Sequence, residues 1–207
     1  MKKTGVPGVA VGLVQNGKTV FAGGFGTREL GTNKPIDGNT LFMVASSTKA
    51  MTTLMLAKLV DQKKITWETP VTDLLPWFKL GDPETTRQVR VKHLICACTG
   101  MPRQDLEFDF NAFTPETAVR TLATMQPTSK FGELFQYSNL LAAAGGFVGG
   151  HVAFPNLELG AAYDSAMSTL VFERWECTQL PSTSRRHNAA ITPGRTPRTS
   201  TATQLAR

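Results

Sequence analysis

The chain has 207 residues, an apolar content of 41% and a net charge of +6 at pH 7. This length is enough for one large domain or two small ones, and no apolar run approaches the ~20 residues of a membrane-spanning helix. Six arginines lie in residues 174–207 against the single acid Glu176, so the remaining body has a charge of only +1 (+6 minus +5). A nucleic-acid partner is therefore not expected for the body.

The first predicted element is a β-hairpin. Strands are predicted over residues 9–14 and 19–25, with Asn16 and Gly17 between them. This pair is a strong hairpin signal because both central positions of a type I′ turn need positive φ angles. A turn-rich connection is predicted over residues 28–40.

A helix is predicted over residues 47–62, and Ser46 and Lys49 lie at its start. Because they are three residues apart, their side chains share one helix face and can touch. A serine hydroxyl becomes a good nucleophile when a neighbouring base takes its proton, and a lysine that has lost part of its hydration can be that base. Free backbone N–H groups at the helix start also favour negative charge on an attacked substrate.

The same pair has a simpler interpretation. A serine and a lysine at this spacing occur by chance about once in 200 residues, and a serine at a helix start is often an N-cap beside a solvated lysine. The context favours catalysis, because Met51, Leu54 and Leu59 lie at helical spacing behind the pair and predict a buried face. Lys49 is then expected at the margin of that face.

Further helices are predicted downstream. A loop-rich stretch interrupted by prolines precedes a short helix predicted over residues 91–98. Thr114 can N-cap another helix, which extends to about residue 125 and has Pro115 in its first turn. An amphipathic helix is predicted over residues 163–172.

Tyr137 and Asn139 form a second candidate pair, two residues apart and preceded by a glycine turn. A tyrosine beside an ammonium group can be held as a phenolate or share its proton. An amide beside it can orient a substrate and bridge to the lysine. A turn asparagine and a half-buried tyrosine are the better interpretation of this short pattern taken alone.

Neither the cysteines nor the histidines predict a metal or a cofactor. Cys96, Cys98 and Cys177 are an odd set without metal-ligand spacing, so free, inert thiols are predicted. The three histidines are scattered, and His93 is assigned to a structural helix end, not to a catalytic base. We expect no metal and no cofactor.

Together the two pairs resemble the serine penicillin-recognising superfamily, which comprises class C β-lactamases, D-alanyl-D-alanine carboxypeptidases, D-aminopeptidases and related esterases. The S-x-x-K signature occurs in the related class A enzymes, and Y-x-N replaces S-D-N in the class C branch. Residues 7–18 are similar to the family's first hairpin. Residues 91–102 are similar to its stretch HLLTHTSGLP, with Cys96-Ala97-Cys98 replacing part of it. The likeness extends from about residue 5 to about residue 173.

This resemblance implies an α+β fold in which helices pack on an antiparallel sheet of five or more strands, with the site between the sheet and a helical lobe. It also implies a role for each candidate. Ser46 would be the nucleophile and Lys49 its base. Tyr137 would relay the proton to the leaving group, and Asn139 would bind the substrate through its amide. The K-T-G or H-x-G element of the family's later strands is not found, so the fold is expected to be incomplete, with C-terminal strands missing.

Two regions are expected: a partial hydrolase domain over residues 1–173 and a basic tail over residues 174–207. The tail is rich in Ser, Thr, Pro and Arg, a composition that predicts disorder. Relatives typically continue with Pro-Leu-Gly-Met at this point, and among the codons that can encode residues 174–177 are ones that give this sequence when one lost base is restored. The tail is therefore expected to be a frameshift product, and a genuine basic linker or RNA-binding tail is the competing interpretation.

The predicted function is hydrolysis of a β-lactam, a D-amino peptide or a small ester through an acyl-Ser46 intermediate, with weak or no activity if the fold is incomplete. The expected partner is a small-molecule or peptide substrate. No transmembrane segment and no signal peptide are predicted, although relatives are often exported. Two alternatives stay open: a non-catalytic relic of the fold that binds a ligand or partner, and a nucleic-acid binder acting through the tail.

Overall fold

The structure, a computed structural model, describes residues 3–104 and 114–173. It divides the chain into two compact units, named here the hairpin unit (residues 3–44) and the helical unit (residues 45–104 and 114–173). The predicted tail, residues 174–207, lies outside the described residues. Its disorder and its frameshift origin stay predictions.

The hairpin unit contains the predicted pair of strands. β1 (Gly8–Gln15) and β2 (Lys18–Gly26) are antiparallel neighbours. Asn16 and Gly17 connect them with φ angles of 51° and 73°. These positive angles are the ones that a type I′ turn needs, so the hairpin prediction is confirmed.

Ile36 packs where the two strands contain glycine. A Cβ atom added at Gly8 would meet Ile36 Cδ1 at 2.0 Å, and one added at Gly24 would meet Ile36 Cγ2 at 2.1 Å. Among the described residues of this unit, Ile36 is the buried apolar side chain. Larger apolar side chains of the strands stay in solvent: Leu13 is 56% exposed and Phe25 is 53% exposed.

The helical unit is built from helices of very different lengths. In chain order they are α1 (Ser47–Asp61), α2 (Val71–Leu74), α3 (Pro83–Gln88), α4 (Pro115–Thr121), α5 (Asn139–Ala153) and α6 (Leu159–Met167). Two 3₁₀ turns lie at Val91–Leu94 and Leu122–Thr124, and a π-helical turn lies at Ser168–Phe172.

α4 confirms the helix predicted after Thr114. The Thr114 side chain accepts a hydrogen bond from Thr117 N at 3.1 Å, and Pro115 occupies the first turn, where its missing N–H costs nothing. The α-helical part ends at Thr121, and the 3₁₀ turn completes the predicted span to residue 124.

The prediction of a helix over residues 91–98 is wrong beyond Leu94. The prediction of free thiols is wrong for two of the three cysteines. Cys96 and Cys98 form a disulfide, with their Cα atoms 5.4 Å apart. Side chains two residues apart point to opposite sides of a helix, so this bond requires a non-helical turn. Ala97, between the cysteines, has a φ of 55°. Cys177 lies outside the described residues.

The helix predicted over residues 163–172 starts earlier than expected. The Glu158 carboxylate accepts a hydrogen bond from Ala161 N at 2.7 Å, which caps the first turn of α6 and sets its start at Leu159. From Ser168 the helix continues as the π-helical turn.

Two apolar clusters form the core of the helical unit. The larger one surrounds Phe78, Leu122 and Leu141, and the smaller one contains Met55 and Leu56 of α1. Each of these side chains is no more than 1% exposed. Fully burying such a side chain contributes about 1.5–3 kcal/mol, so α1 and α5 are fixed by packing along their lengths.

Helices together with a small antiparallel sheet confirm the predicted α+β class. In the part of the chain that the structure describes, no helix combines the length and the apolarity that crossing a membrane requires.

Candidate active site

Ser46 lies at the N-cap of α1, but its side chain does not cap the helix. Its Oγ instead lies 2.6 Å from the phenolic oxygen of Tyr137. The preceding residue, Ala45, has a φ of 45°, which is uncommon for a residue with a side chain. The simple N-cap interpretation of Ser46 is therefore wrong for its hydroxyl, which is exposed and turned towards another segment.

Lys49 lies one helical turn after Ser46 and touches three of the candidate side chains. Its Nζ donates to Ser46 Oγ at 3.2 Å and to Asn139 Oδ1 at 2.6 Å. It also lies 4.6 Å from the centroid of the Tyr137 ring. Lys49 is partly buried, as expected for a residue at the margin of the apolar face of α1.

Tyr137 and Asn139 reach this lysine because they flank the start of α5. Ser138 is the N-cap, and its Oγ accepts a hydrogen bond from Leu141 N at 3.3 Å. The cap fixes Tyr137 just outside the helix and Asn139 as its first residue. Two helix starts, far apart in sequence, thus supply the four predicted site residues.

The four side chains form one continuous hydrogen-bonded group, from Tyr137 through Ser46 and Lys49 to Asn139. The structure therefore brings together every residue that the sequence proposed for the site. A nucleophilic hydroxyl, a cationic amine, an ionisable phenol and an amide within hydrogen-bond reach of one another can carry out acyl transfer with proton relay.

Cations lower the pKa of Tyr137 below its ordinary value. The Lys49 ammonium beside the phenol has the largest effect, the hydrogen bond with Ser46 adds to it, and burial opposes both only in part. The Arg103 guanidinium, 5.2 Å from the centroid of the ring, lowers the pKa further. Tyr137 is thus prepared to accept and return a proton.

The sequence did not point to Arg103 or to the pocket beside Tyr137. Arg103 follows the Gly-Met-Pro stretch that resembles the superfamily, and its position there was the available signal. The pocket has a volume of about 110 Å³, and Lys49, Ile95, Ala97, Tyr137 and Leu141 are among its lining residues. Its walls are largely apolar, with Lys49 and Tyr137 at the polar side.

His93 has the structural role that was predicted for it. Its Nδ1 accepts a hydrogen bond from Arg90 N at 3.0 Å, and its ring packs edge-on against Phe131. Burial is the main cause that lowers the pKa of His93. Among residues 3–104 and 114–173, no group of three or more His, Cys, Asp or Glu side chains is arranged to hold a metal ion.

Comparison with protein families gives a match over the whole length. A family model described as Beta-lactamase matches residues 1–207. Among curated proteins, the chain is 32% identical over 145 residues to unguisins hydrolase ungD' of Aspergillus campestris, covering 66% of this chain and 27% of that protein. It is 25% identical over 144 residues to Protein flp of Staphylococcus aureus, covering 68% and 29%. The chain thus spans less than a third of the length of these relatives.

Solved structures of similar fold include an octameric penicillin-binding protein homologue from Pyrococcus abyssi, with a TM-score of 0.71 and 22% identity over 88% of this chain and 44% of that one. D-amino acid amidase from Ochrobactrum anthropi has a TM-score of 0.69 and 21% identity, covering 84% and 48%. A class C beta lactamase from Rhodobacter sphaeroides has a TM-score of 0.68 and 18% identity, covering 90% and 50%. At these identities the likeness shows the fold.

Proposed function

The chain belongs to the beta-lactamase family, and we propose that it is a serine hydrolase that cleaves an amide or ester through an acyl-Ser46 intermediate. The observation that supports this function best is the pair of contacts at Ser46 Oγ, with Tyr137 OH at 2.6 Å and Lys49 Nζ at 3.2 Å. A serine with two ionisable partners in direct contact has the means to lose its proton as it attacks.

Acylation begins with attack of Ser46 Oγ on the substrate carbonyl. Lys49, in its neutral form, accepts the Oγ proton and passes it to Tyr137, which relays it to the leaving group as the carbonyl–leaving-group bond breaks. Both side chains already contact Oγ, so the proton moves between groups that lie within hydrogen-bond distance of one another. Such general acid–base steps contribute typically about 10²–10⁴-fold in rate.

The start of α1 supplies electrostatic stabilisation for the developing oxyanion. The Ser46 backbone N–H lies at the positive end of the helix, where negative charge is favoured. Asn139 holds the Lys49 amine through Oδ1, and its amide is proposed to bind the substrate beside it. Water then attacks the acyl-Ser46 carbonyl, the same relay takes a proton from that water, and it gives a proton to Ser46 Oγ as the Oγ–acyl bond breaks.

The proposed substrates are a β-lactam, a D-amino peptide or a small ester. Solved neighbours named as a beta lactamase and a D-amino acid amidase support the first two, and one named as EstCE1, a hydrolase with promiscuous acyltransferase activity, supports acyl transfer more broadly. A non-catalytic ligand-binding relic of the fold is the alternative, and covalent labelling separates the two.

A fluorophosphonate probe followed by peptide mass spectrometry tests the proposal. We expect one adduct, on Ser46, that is lost in Ser46→Ala and kept in the matched variant Ser47→Ala. Hydrolysis of p-nitrophenyl acetate, a chromogenic cephalosporin and a D-alanyl anilide then identifies the substrate class. An adduct on Ser47, or labelling that survives in Ser46→Ala, would contradict the assignment, and an unlabelled chain that still binds a β-lactam reversibly would favour the relic.

A further inference from the structure

We propose that the Cys96–Cys98 disulfide is a positioning element for Tyr137, so that reducing this bond slows acylation of Ser46. The inference rests on the proposed function for its effect on rate, but its structural part concerns Tyr137 alone. Neither cysteine touches the reacting atoms, so the disulfide acts through the chain that precedes Tyr137.

The disulfide closes a very tight turn. Cys96 and Cys98 are separated only by Ala97, whose φ of 55° lies in the left-handed region that residues with a Cβ seldom adopt. Residues in such conformations persist when the surrounding structure holds them there. A covalent bond across the turn is a direct way to hold Ala97 in this conformation.

The carbonyl groups of this turn bind the segment that ends at Tyr137. Ala97 O accepts a hydrogen bond from Gln136 N at 2.7 Å, and Cys98 O accepts one from Gly132 N at 2.8 Å. Gln136, which is hydrogen-bonded to Ala97, is thus the immediate neighbour of Tyr137 in the chain. The orientation of the Ala97 carbonyl depends on the φ and ψ angles of the turn, so the disulfide determines where this bond can form.

The two segments also approach each other closely next to the turn. Gly100 O accepts a hydrogen bond from Thr128 N at 2.8 Å. A Cβ atom added at Gly100 would lie 2.3 Å from Ser129 O, so backbone meets backbone there. Ala97 and Tyr137 line the same small pocket beside Lys49. The turn therefore contacts the segment before Tyr137 at several backbone positions and shares a pocket with Tyr137 itself.

Reduction would release this restraint. A dithiol reductant transfers two electrons and two protons, the Sγ–Sγ bond breaks, both cysteines become thiols and the reductant becomes a cyclic disulfide. Cys96 and Cys98 are both partly exposed, so a small dithiol can reach them. Ala97 can then leave its left-handed conformation. Its carbonyl oxygen would turn away from Gln136 N, and the hydrogen bond between them would be lost. Tyr137 OH is then no longer held at 2.6 Å from Ser46 Oγ.

The test compares the full chain before and after treatment with dithiothreitol, with thiols counted in both samples. One readout is the rate of fluorophosphonate acylation, which we expect to fall about 10- to 100-fold, the scale of loss known for misplaced catalytic groups. The other is ultraviolet titration of the tyrosines. The chain has two of them. Burial raises the pKa of Tyr163 while Lys49 lowers that of Tyr137, so we expect Tyr137 to titrate at the lower pH of the two.

We expect the Tyr137 transition, identified by its loss in Tyr137→Phe, to move to higher pH on reduction. The double variant Cys96→Ser/Cys98→Ser should behave like the reduced chain and should not respond to dithiothreitol. Cys177→Ser, which removes a thiol outside the disulfide, should keep the full response. These variants separate the disulfide from other thiol effects.

Unchanged labelling together with an unchanged Tyr137 transition in a chain that thiol counting shows to be reduced would overturn the inference. Loss of helical circular dichroism on reduction would also overturn it, since the bond would then support the fold as a whole. If even the oxidised chain is not labelled, the proposed function fails. The titration still decides the positioning role in that case: a shift supports it and no shift overturns it.

Discussion

Ser46 has its two partners for different reasons. Lys49 reaches it from the same helix, because residues three apart share a face. Tyr137 reaches it from the start of α5, where the Ser138 cap fixes the chain. One contact is local and the other depends on the tertiary fold, so the network as a whole reports whether the helical unit is correctly assembled.

Removing either partner should slow acylation without unfolding the unit. We expect Lys49→Ala and Tyr137→Phe each to lower the acylation rate about 10²–10⁴-fold, the usual range for a general acid–base group. Stopped-flow labelling gives the rate, and urea denaturation checks stability. Lys58→Ala, in the last turn of α1, is the matched control and should keep the parental rate. A Tyr137→Phe variant with undiminished acylation would remove the relay from the mechanism.

The pH dependence of acylation should report the cations around Tyr137. A relay must accept a proton before it donates one, so the rate should rise with pH as Tyr137 deprotonates. Because Arg103 helps to lower the pKa of Tyr137, Arg103→Gln should raise that pKa. The rise of the acylation rate with pH should then occur at higher pH. Arg120→Gln removes a comparable cation, 4.5 Å from the centroid of the Trp77 ring, and should leave the pH dependence of the acylation rate unchanged. Equal profiles for both variants would exclude the charge effect.

The sequence predicted the candidate site to the extent that the contacts within it are local. Ser46 and Lys49 follow from helical spacing, whereas their meeting with Tyr137 and Asn139 could be expected only from a family resemblance, since about 90 residues separate the two pairs. The Cys96–Cys98 disulfide was not predicted, because the surrounding sequence pattern favoured a helix. Its turn depends on a positive φ at an alanine, for which the sequence contains no signal.

At the scale of elements, turns and caps were predictable and α5 was not. Asn16-Gly17 and Thr114-Pro115 encode their structures in backbone preferences. Residues 139–153 contain four glycines and four alanines, and each glycine lowers helix propensity by about 1 kcal/mol relative to alanine. Tertiary packing overrides that preference, because Gly146 and Gly150 let α6 approach α5 closely.

The contact between α5 and α6 should not tolerate a methyl group at Gly150. A Cβ there would meet Tyr163 N at 2.5 Å, and backbone cannot move aside as a side chain can. We expect Gly150→Ala to lower the free energy of unfolding by about 1–3 kcal/mol despite its higher helix propensity. A Cβ atom added at Gly145 would have the Leu94 side chain as its nearest contact, at 3.3 Å. Gly145→Ala should therefore lower the free energy of unfolding by less than Gly150→Ala. Equal urea midpoints for the two variants would contradict this account.

At the scale of the whole molecule, the two units differ in how much apolar surface they bury. The helical unit has two clusters of fully buried side chains. The hairpin unit exposes Leu13, Val20 and Phe21 by 56%, 52% and 42%. A two-stranded hairpin is marginally stable on its own in water, so the free energy that opens the hairpin unit is expected to be much smaller than the one that opens the helical unit.

Hydrogen–deuterium exchange measures this difference within one sample. We expect the amides of β1 and β2 to exchange far faster than those of α5, because local opening energies range from about zero to the full free energy of unfolding. Replacing Asn16, whose φ is 51°, with valine should speed exchange in the strands further, since a β-branched residue strongly disfavours a positive φ. The same substitution should leave the exchange rates of the α5 amides unchanged. Strand amides protected as well as those of α5 would mean that another surface covers the hairpin in solution, and the apolar side chains that are exposed here would then be its contact face.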